Sequence, residues 1–89
     1  MKYSKKPVPI DFIIADLESG MRYGQVKTKH HIPRAVVYLL NLAIDSGCVP
    51  EATQAAANSV FRRSANGTLK NKRIKHILHE HIARRERQQ

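Results

Sequence analysis

The sequence predicts an all-α fold, a small domain of three to four helices, and three observations support that class. The chain has 89 residues, a length typical of one domain. Apolar side chains recur at helical spacing in several separate segments. Proline or glycine stands between these segments, where helices begin or end. With no Trp and 6% aromatic residues, we expect a core of aliphatic side chains.

The first predicted helix begins at Pro9, because the fixed φ of proline suits the first turn of a helix. Gly20 is expected to end it. Its apolar stripe consists of Ile10, Ile13, Ile14, Leu17 and Met21. Phe12 falls outside that stripe, which indicates a second contact surface. Residues 1–8 are basic and contain prolines, so we expect a flexible arm before the domain.

The segment from Arg22 to Ile32 is the ambiguous part of the chain. It contains Gly24 and has no helical apolar pattern, so we predict a loop within a helical domain. The alternative is a short strand over 26–32. Alternation along such a strand would place Lys27, Lys29 and His31 on one face.

Pro33 begins the strongest predicted helix, whose apolar residues cover a wide arc. We expect this helix to be central and mostly buried, with Gly47 ending it. Val49-Pro50-Glu51 begins the next helix, which has a thin inner stripe and ends at the Asn66-Gly67 turn. That stripe consists of Thr53, Ala56, Ala57, Val60 and Phe61.

The last predicted helix begins at about Lys70 and carries its apolar residues on one face. That face consists of Ile74, Ile77, Leu78 and Ile82. Beyond Ala83 the apolar pattern stops, so we expect residues 84–89 to form a frayed basic tail. The single helical domain is therefore predicted to span 9–83.

The stretch from Val26 to Phe61 resembles a ribbon–helix–helix DNA-binding unit, with a strand closed by Pro33, a helix, a glycine-containing turn and a second helix. The resemblance implies a dimer whose paired strands enter the major groove, so that Lys27, Lys29 and His31 read bases. Its core would consist of Ile32, Val36, Leu39, Leu40, Ala43, Val49, Ala57 and Phe61. Thr53 departs from the pattern, since an apolar residue is expected there.

Positive charge is concentrated in the second half of the chain. The stretch from Arg62 to Gln89 holds nine of the 16 Lys and Arg residues, opposed only by Glu80 and Glu86. Such a distribution attracts a polyanion, and the arginine fork grips phosphate. We therefore predict a nucleic-acid-binding regulatory protein, either a transcriptional regulator or an accessory factor, that binds DNA rather than RNA. The predicted contacts are Arg62, Arg63, Lys70, Lys72, Arg73, Lys75, Arg84, Arg85, Arg87, Lys27, Lys29 and His31.

Three alternatives remain open for the partner and the binding mode. A helix-turn-helix around Gly47 would expose the side chains of Gln54, Asn58, Arg62 and Arg63 to DNA. A protein-binding adaptor or inhibitor would instead dock on an acidic protein surface, with Phe12 and Tyr38 in the interface. RNA binding by the last helix is the third alternative.

Other classes of function have little support in the sequence. His76 and His79 are two helical histidines, whereas zinc needs three or four convergent ligands, so we predict no metal site. No catalytic motif is present, and we predict neither an enzyme nor a cofactor. The single Cys48 excludes an internal disulfide and suits a reducing compartment.

We expect a cytoplasmic location and no membrane association. Asp11 and Asp16 interrupt the apolar run from Ile10 to Leu17, so it resembles neither a signal peptide nor a membrane span. A homodimer is expected, because so small a domain leaves apolar area that a second copy would cover.

Overall fold

A computed structural model describes residues 8–47, 49–64 and 69–87, with the side chains of the last helix described as far as Arg84. All regular structure in these residues is helical, which confirms the predicted fold class. There are five helices in this part of the chain rather than three to four. They are α1 Ile10–Glu18, α2 Tyr23–His30, α3 Arg34–Ser46, α4 Pro50–Ser64 and α5 Asn71–Arg87. The Cys48 and Asn66-Gly67 predictions lie outside the described residues, as do those for residues 1–7 and 88–89.

Helix α3 is the centre of the fold, as its wide apolar arc predicts. It packs against each of the other four helices. Five of its side chains are buried: Val36, Val37, Leu39, Leu40 and Ala43. Pro33 precedes the helix in an extended conformation, and Gly47 ends it in the left-handed region at φ 66°. Because L side chains rarely adopt that φ, glycine is the residue suited to this stop.

Helix α4 uses small residues to approach its neighbours. Ala52, Ala56 and Ala57 are buried, whereas Ala55 faces solvent. Thr53 is also buried, and its hydroxyl donates a hydrogen bond of 2.9 Å to the Val49 carbonyl. A local acceptor therefore removes the cost of burying the Thr53 hydroxyl. The small buried face lets α4 pack on α3, α5 and α1.

Helix α1 buries the predicted stripe, with Ile10 and Ile13 in the core. Gly20, at φ 98°, lies in the turn that follows the helix. Val8 is also a core residue, although the sequence assigns it to the basic arm. Its amide donates to Asn58 Oδ1 at 2.9 Å, and its carbonyl accepts from Gln54 Nε2 at 2.8 Å. The packed domain therefore includes Val8, one residue before the predicted boundary.

Helix α2 overturns both predictions for residues 26–32, since Val26 to His30 is neither loop nor strand. The helix is polar, and Val26 is its one fully buried side chain in the described structure. His31 ends it in the left-handed region at φ 53°, and the buried Ile32 follows. An eight-residue helix with one core residue shows almost no apolar period, which explains why the pattern fails to reveal it.

Helix α5 buries the predicted face, with Ile74, Ile77 and Leu78 almost wholly inaccessible. Ile82 is half-buried against the same core. The helix continues to Arg87, past the apolar pattern and past the sequence-based boundary at Ala83. It packs on α3 and α4 but not on α1 or α2.

Candidate nucleic-acid interface

Seven cations of the second half lie on α4, on α5 or, for Lys70, at the residue before α5, and we refer to them as the α4–α5 basic surface. All seven side chains are exposed. They are Arg62, Arg63, Lys70, Lys72, Arg73, Lys75 and Arg84. None of them forms an ion pair with a carboxylate among the residues that the structure describes. The predicted contacts Arg85 and Arg87 belong to α5, but their side chains lie outside the described part.

Three arginines of this surface, Arg62, Arg63 and Arg84, affect the ionisation of His81. This half-buried side chain has its pKa lowered, because burial disfavours the imidazolium ion and the charges of Arg84, Arg62 and Arg63 disfavour it further. Glu80 acts in the opposite direction. Arg84 lies three residues after His81 on α5, whereas Arg62 and Arg63 belong to the end of α4, which packs on α5. The spacing of residues in the sequence does not reveal that Arg62 and Arg63 act on His81.

One of these arginines is also positioned by its own helix. Arg63 Nε donates a hydrogen bond of 3.3 Å to Ser59 Oγ, one turn earlier in α4. Ser59 is 7% exposed and therefore fixed by packing, so its hydrogen bond holds the Arg63 Nε atom against the surface of α4. The remaining guanidinium N–H groups can still donate to a phosphate.

The outer face of α5 adds two exposed histidines, His76 and His79. His76 Nε2 lies 3.7 Å from Glu80 Oε2, one turn along the helix. Both partners are about half-exposed, at 61% and 49%, so the pair is open to solvent and weak. Glu80 contributes one negative charge to a helix whose sequence holds six Lys and Arg residues.

The predicted contacts Lys27, Lys29 and His31 lie elsewhere. Helix α2 packs on α1 and α3 but not on α4 or α5, so these residues do not join the α4–α5 basic surface. Lys27 is exposed, and His31 forms the left-handed cap of α2. Lys29 Nζ lies 3.0 Å from Asp16 Oδ2. The proposed base-reading ribbon does not exist, because these residues belong to a helix and its cap.

Asp16 organises the α1–α2 contact. Its Oδ2 lies 2.7 Å from His30 Nε2 and also contacts Lys29. These hydrogen bonds, first that of His30 and then that of Lys29, lower the pKa of Asp16. No motif in the sequence reveals this cluster, because Asp16 and His30 are fourteen residues apart. No local spacing rule connects them.

The helix-turn-helix alternative is weakened by the position of two of its contact candidates. Gln54 and Asn58 are half-buried, and both hold the backbone of Val8. Gln54 Nε2 also donates to Asn58 Oδ1 at 3.0 Å, which fixes the pair. These amides are used inside the fold, whereas Arg62 and Arg63 remain accessible.

An apolar surface lies on a different part of the molecule. Phe12 is 70% exposed on α1 and Val49 is 45% exposed before α4, and they are the exposed large hydrophobic residues of the described chain. An open groove of about 500 Å³ separates α1 from the first half of α4. Its walls include Ile10, Asp11 and Pro50. This groove is shallow and differs from the α4–α5 basic surface in both position and charge.

The described residues contain no group of three or more His, Cys, Asp or Glu side chains placed to hold a metal ion. Within the same residues, no helix combines the length and the apolar character needed to cross a membrane.

Comparisons with protein-family models, with curated proteins and with solved structures found no match to this chain.

Proposed function

We propose that this protein binds nucleic acid through the α4–α5 basic surface and acts as a transcriptional regulator or accessory factor. The observation that carries the proposal is the set of seven exposed cations without carboxylate partners in the described structure. A compact polyanion satisfies such a surface, since each phosphate contact releases condensed counterions.

Three arginines of the surface, Arg62, Arg63 and Arg84, are expected to contribute most of the binding free energy. Arg62, Arg63 and Arg84 already lie close enough to shift the pKa of His81 together. A phosphate placed among them would relieve their mutual repulsion and accept bidentate hydrogen bonds. Contacts of this kind give affinity with little sequence information, so we expect strong binding to many sequences.

Duplex DNA is the proposed ligand, and a homodimer is the proposed functional form. A dimer would present two α4–α5 basic surfaces, and simultaneous engagement of one duplex by both would raise the overall affinity. RNA remains an outcome of the test, since the same cations would bind its phosphates.

The experiment is a salt titration of duplex binding with a charge-reversed variant, Arg62→Glu with Arg63→Glu. We expect the affinity to fall about tenfold or more at physiological salt. The slope of log K against log salt should become shallower by about 2, because two phosphate contacts are lost. Circular dichroism should show an intact helical fold, since both side chains are exposed.

A charge-matched variant on the other side of the molecule completes this test. Arg22→Glu with Lys27→Glu makes the same change in net charge on exposed residues near α2. It should reduce affinity much less. Equal losses for the two variants would show that only net charge matters, and unchanged binding by the α4–α5 variant would overturn the proposal. A parallel titration with hairpin RNA of equal length decides between the nucleic acids.

A second candidate function is favoured by Phe12. Its side chain is 70% exposed on α1, a helix that does not pack on α5, and aromatic residues are enriched in protein interfaces. The protein would then be an adaptor or inhibitor that docks on another protein. Phe12→Ala should abolish capture of one cellular partner that survives nuclease treatment, and it should leave duplex affinity unchanged.

A further inference from the structure

One outward stripe of α3 remains uncovered although the helix contacts every other element. Arg34 and Asp45 are exposed at its two ends, and Tyr38 and Asn41 are half-buried between them. Their spacing places all four on one face of the helix. Neither Arg34 nor Asp45 forms an ion pair within the described part of the chain.

Helix α2 adds a tyrosine to this stripe. Tyr23 is half-buried on α2, a helix that packs against α3. Burial raises the pKa of Tyr23, with Tyr38 as the next cause, while Arg34 and Asp45 also act on the hydroxyl. Tyr23 therefore lies beside the stripe, next to the face of α3 that α2 packs on. Two tyrosines beside an arginine form the composition that protein interfaces favour.

The order of residues along the stripe is self-complementary. Tyr38 follows Arg34 by four residues, and Asn41 precedes Asp45 by four. If two copies of α3 lie antiparallel about a two-fold axis, Arg34 of each copy meets Asp45 of the other. Tyr38 of each copy then meets Asn41 of the other, so that every position has a matched partner. A two-fold interface requires this reciprocity.

We propose that this stripe, with Tyr23 beside it, is the interface of a homodimer formed by antiparallel packing of two α3 helices. A parallel arrangement would bring Arg34 against Arg34 and Asp45 against Asp45, which is repulsive. An unrelated acidic or basic partner would satisfy only one end of the stripe. A second copy of this chain is therefore the occupant that fits the charges at both ends.

The inference rests on the dimeric part of the proposed function and not on nucleic-acid binding. It also leaves the α4–α5 basic surface free, because the stripe belongs to other residues. The dimer interface and the DNA contacts can therefore be tested separately in the same preparations.

The experiment is a charge swap followed by sedimentation over a wide range of protein concentration, without nucleic acid. Arg34→Asp or Asp45→Arg alone turns two attractive pairs into two repulsive ones. Each should raise the dimer Kd about tenfold or more. The double variant restores opposite charges at both ends and should return the Kd to within about threefold of the wild-type value.

The single variants have an internal safeguard against misfolding. Arg34→Asp places an acid in the first turn of α3, and Asp45→Arg places a cation in the last turn. Both changes suit the helix dipole, so neither should weaken the helix. The matched control is Glu18→Arg on the exposed surface of α1, which should leave the dimer Kd unchanged.

Four outcomes would overturn the inference. A wild-type protein that stays monomeric at every concentration excludes this dimer. Single variants that dimerise normally place the interface elsewhere, and so does a Glu18→Arg variant that weakens the dimer as strongly as they do. A double variant that stays weak excludes the antiparallel pairing. A wild-type protein that dimerises in this way but does not bind DNA would overturn only the nucleic-acid proposal.

Discussion

Helices α2 and α5 are both rich in cations and both pack on α3, yet their positive charges have different surroundings. On α2, Lys29 and His30 meet Asp16 of α1 at 3.0 Å and 2.7 Å. On α5, the described cations have no carboxylate partner apart from the loose contact of His76 with Glu80. Helix α2 uses Lys29 and His30 to attach itself to α1 and leaves Lys27 exposed, whereas the described Lys and Arg side chains of α5 all face solvent.

The difference shows that a run of basic residues has no meaning until its tertiary partners are known. Lys27, Lys29 and His31 look like a binding stripe in the sequence, but one is paired and another caps a helix. The seven cations of the α4–α5 basic surface are more scattered in the sequence, yet all remain accessible. Accessibility without neutralisation is the property that a phosphate-binding surface needs.

Helix α3 supports both α2 and α5, so we expect a substitution in its core to have the largest effect on stability. Leu40→Ala removes a fully buried side chain from the helix that contacts all the others. We expect the free energy of unfolding to fall by about 2–5 kcal/mol. Urea unfolding followed by circular dichroism should show one shifted transition. Two separate transitions would contradict the idea that α3 couples both sides.

A matched pair of valine substitutions separates the two sides. Val26→Ala on α2 and Val60→Ala on α4 remove the same methyl groups from fully buried positions. Each should cost about 2 kcal/mol. The consequences should differ in place, because Val26 is the one buried residue of α2 in the described structure.

Amide hydrogen exchange measures that difference. Val26→Ala should accelerate exchange in α2 well before the rest of the molecule, since little else holds this helix. Val60→Ala should affect α4 and α5 together. Uniform acceleration in both variants would show that α2 is as firmly attached as the other helices.

Removing the Asp16 carboxylate, which contacts Lys29 and His30, should leave Lys29 of α2 without a carboxylate partner, like the cations of α5. Asp16→Asn releases Lys29 and His30, so we expect duplex affinity to rise about twofold to threefold. Glu18→Gln makes the same change in net charge on an exposed residue of α1 and serves as the control. If both variants bind equally, the release of Lys29 contributes nothing beyond net charge.

The same variant has a pH signature. The folded pKa of Asp16 lies below its ordinary value of 3.8, so its contribution to stability is full above that value. The contribution is lost as the pH falls through the folded pKa. The melting temperatures of wild type and Asp16→Asn should therefore differ at neutral pH and converge in strong acid. A constant difference at all pH values would contradict this role.

The smallest predicted effect concerns His81. Its folded pKa lies below the ordinary value of 6.5, whereas the unfolded chain titrates near that value. The unfolded state thus binds more protons below pH 6.5, and stability falls as the pH drops toward the folded pKa. His81→Gln should remove part of this loss, as measured by melting temperature.

Arg84→Gln provides an independent check on the cause. Arg84 is the largest electrostatic contribution to the lowered pKa of His81, after burial. Its removal should raise the pKa of His81, which an NMR titration of the imidazole can follow. A pKa that does not move would exclude Arg84 as a cause.

Much of the fold could be predicted from strongly periodic segments. The arc of α3, the stop at Gly47 and the face of α5 follow from apolar spacing and from the conformational limits of proline and glycine. Helix α2 could not be predicted in this way, because one valine gives no period. Its position is fixed by the Asp16 contacts and by packing on α3, which are tertiary properties.

The candidate site could also be predicted only in part, because some of its features depend on tertiary contacts. The concentration of charge predicts Arg62, Arg63 and Arg84 as contacts, and Arg84 lies three residues after His81 on the same helix, but only the packing of α4 on α5 brings the other two near it. The use of Gln54 and Asn58 to hold Val8 is equally invisible in the sequence, since the partners are almost fifty residues apart. Long-range polar contacts leave no local pattern to read.

The most direct test of the account is an NMR footprint of a short DNA duplex on the isotopically labelled protein. The account predicts that the amide signals of Arg62 to Ser64 and of α5 shift on binding, in a salt-dependent manner. The signals of α2 should change little. Shifts confined to α2 and the His31 turn, with α5 unaffected, would contradict the claim that the unpaired cations of α4 and α5 are the surface that meets nucleic acid.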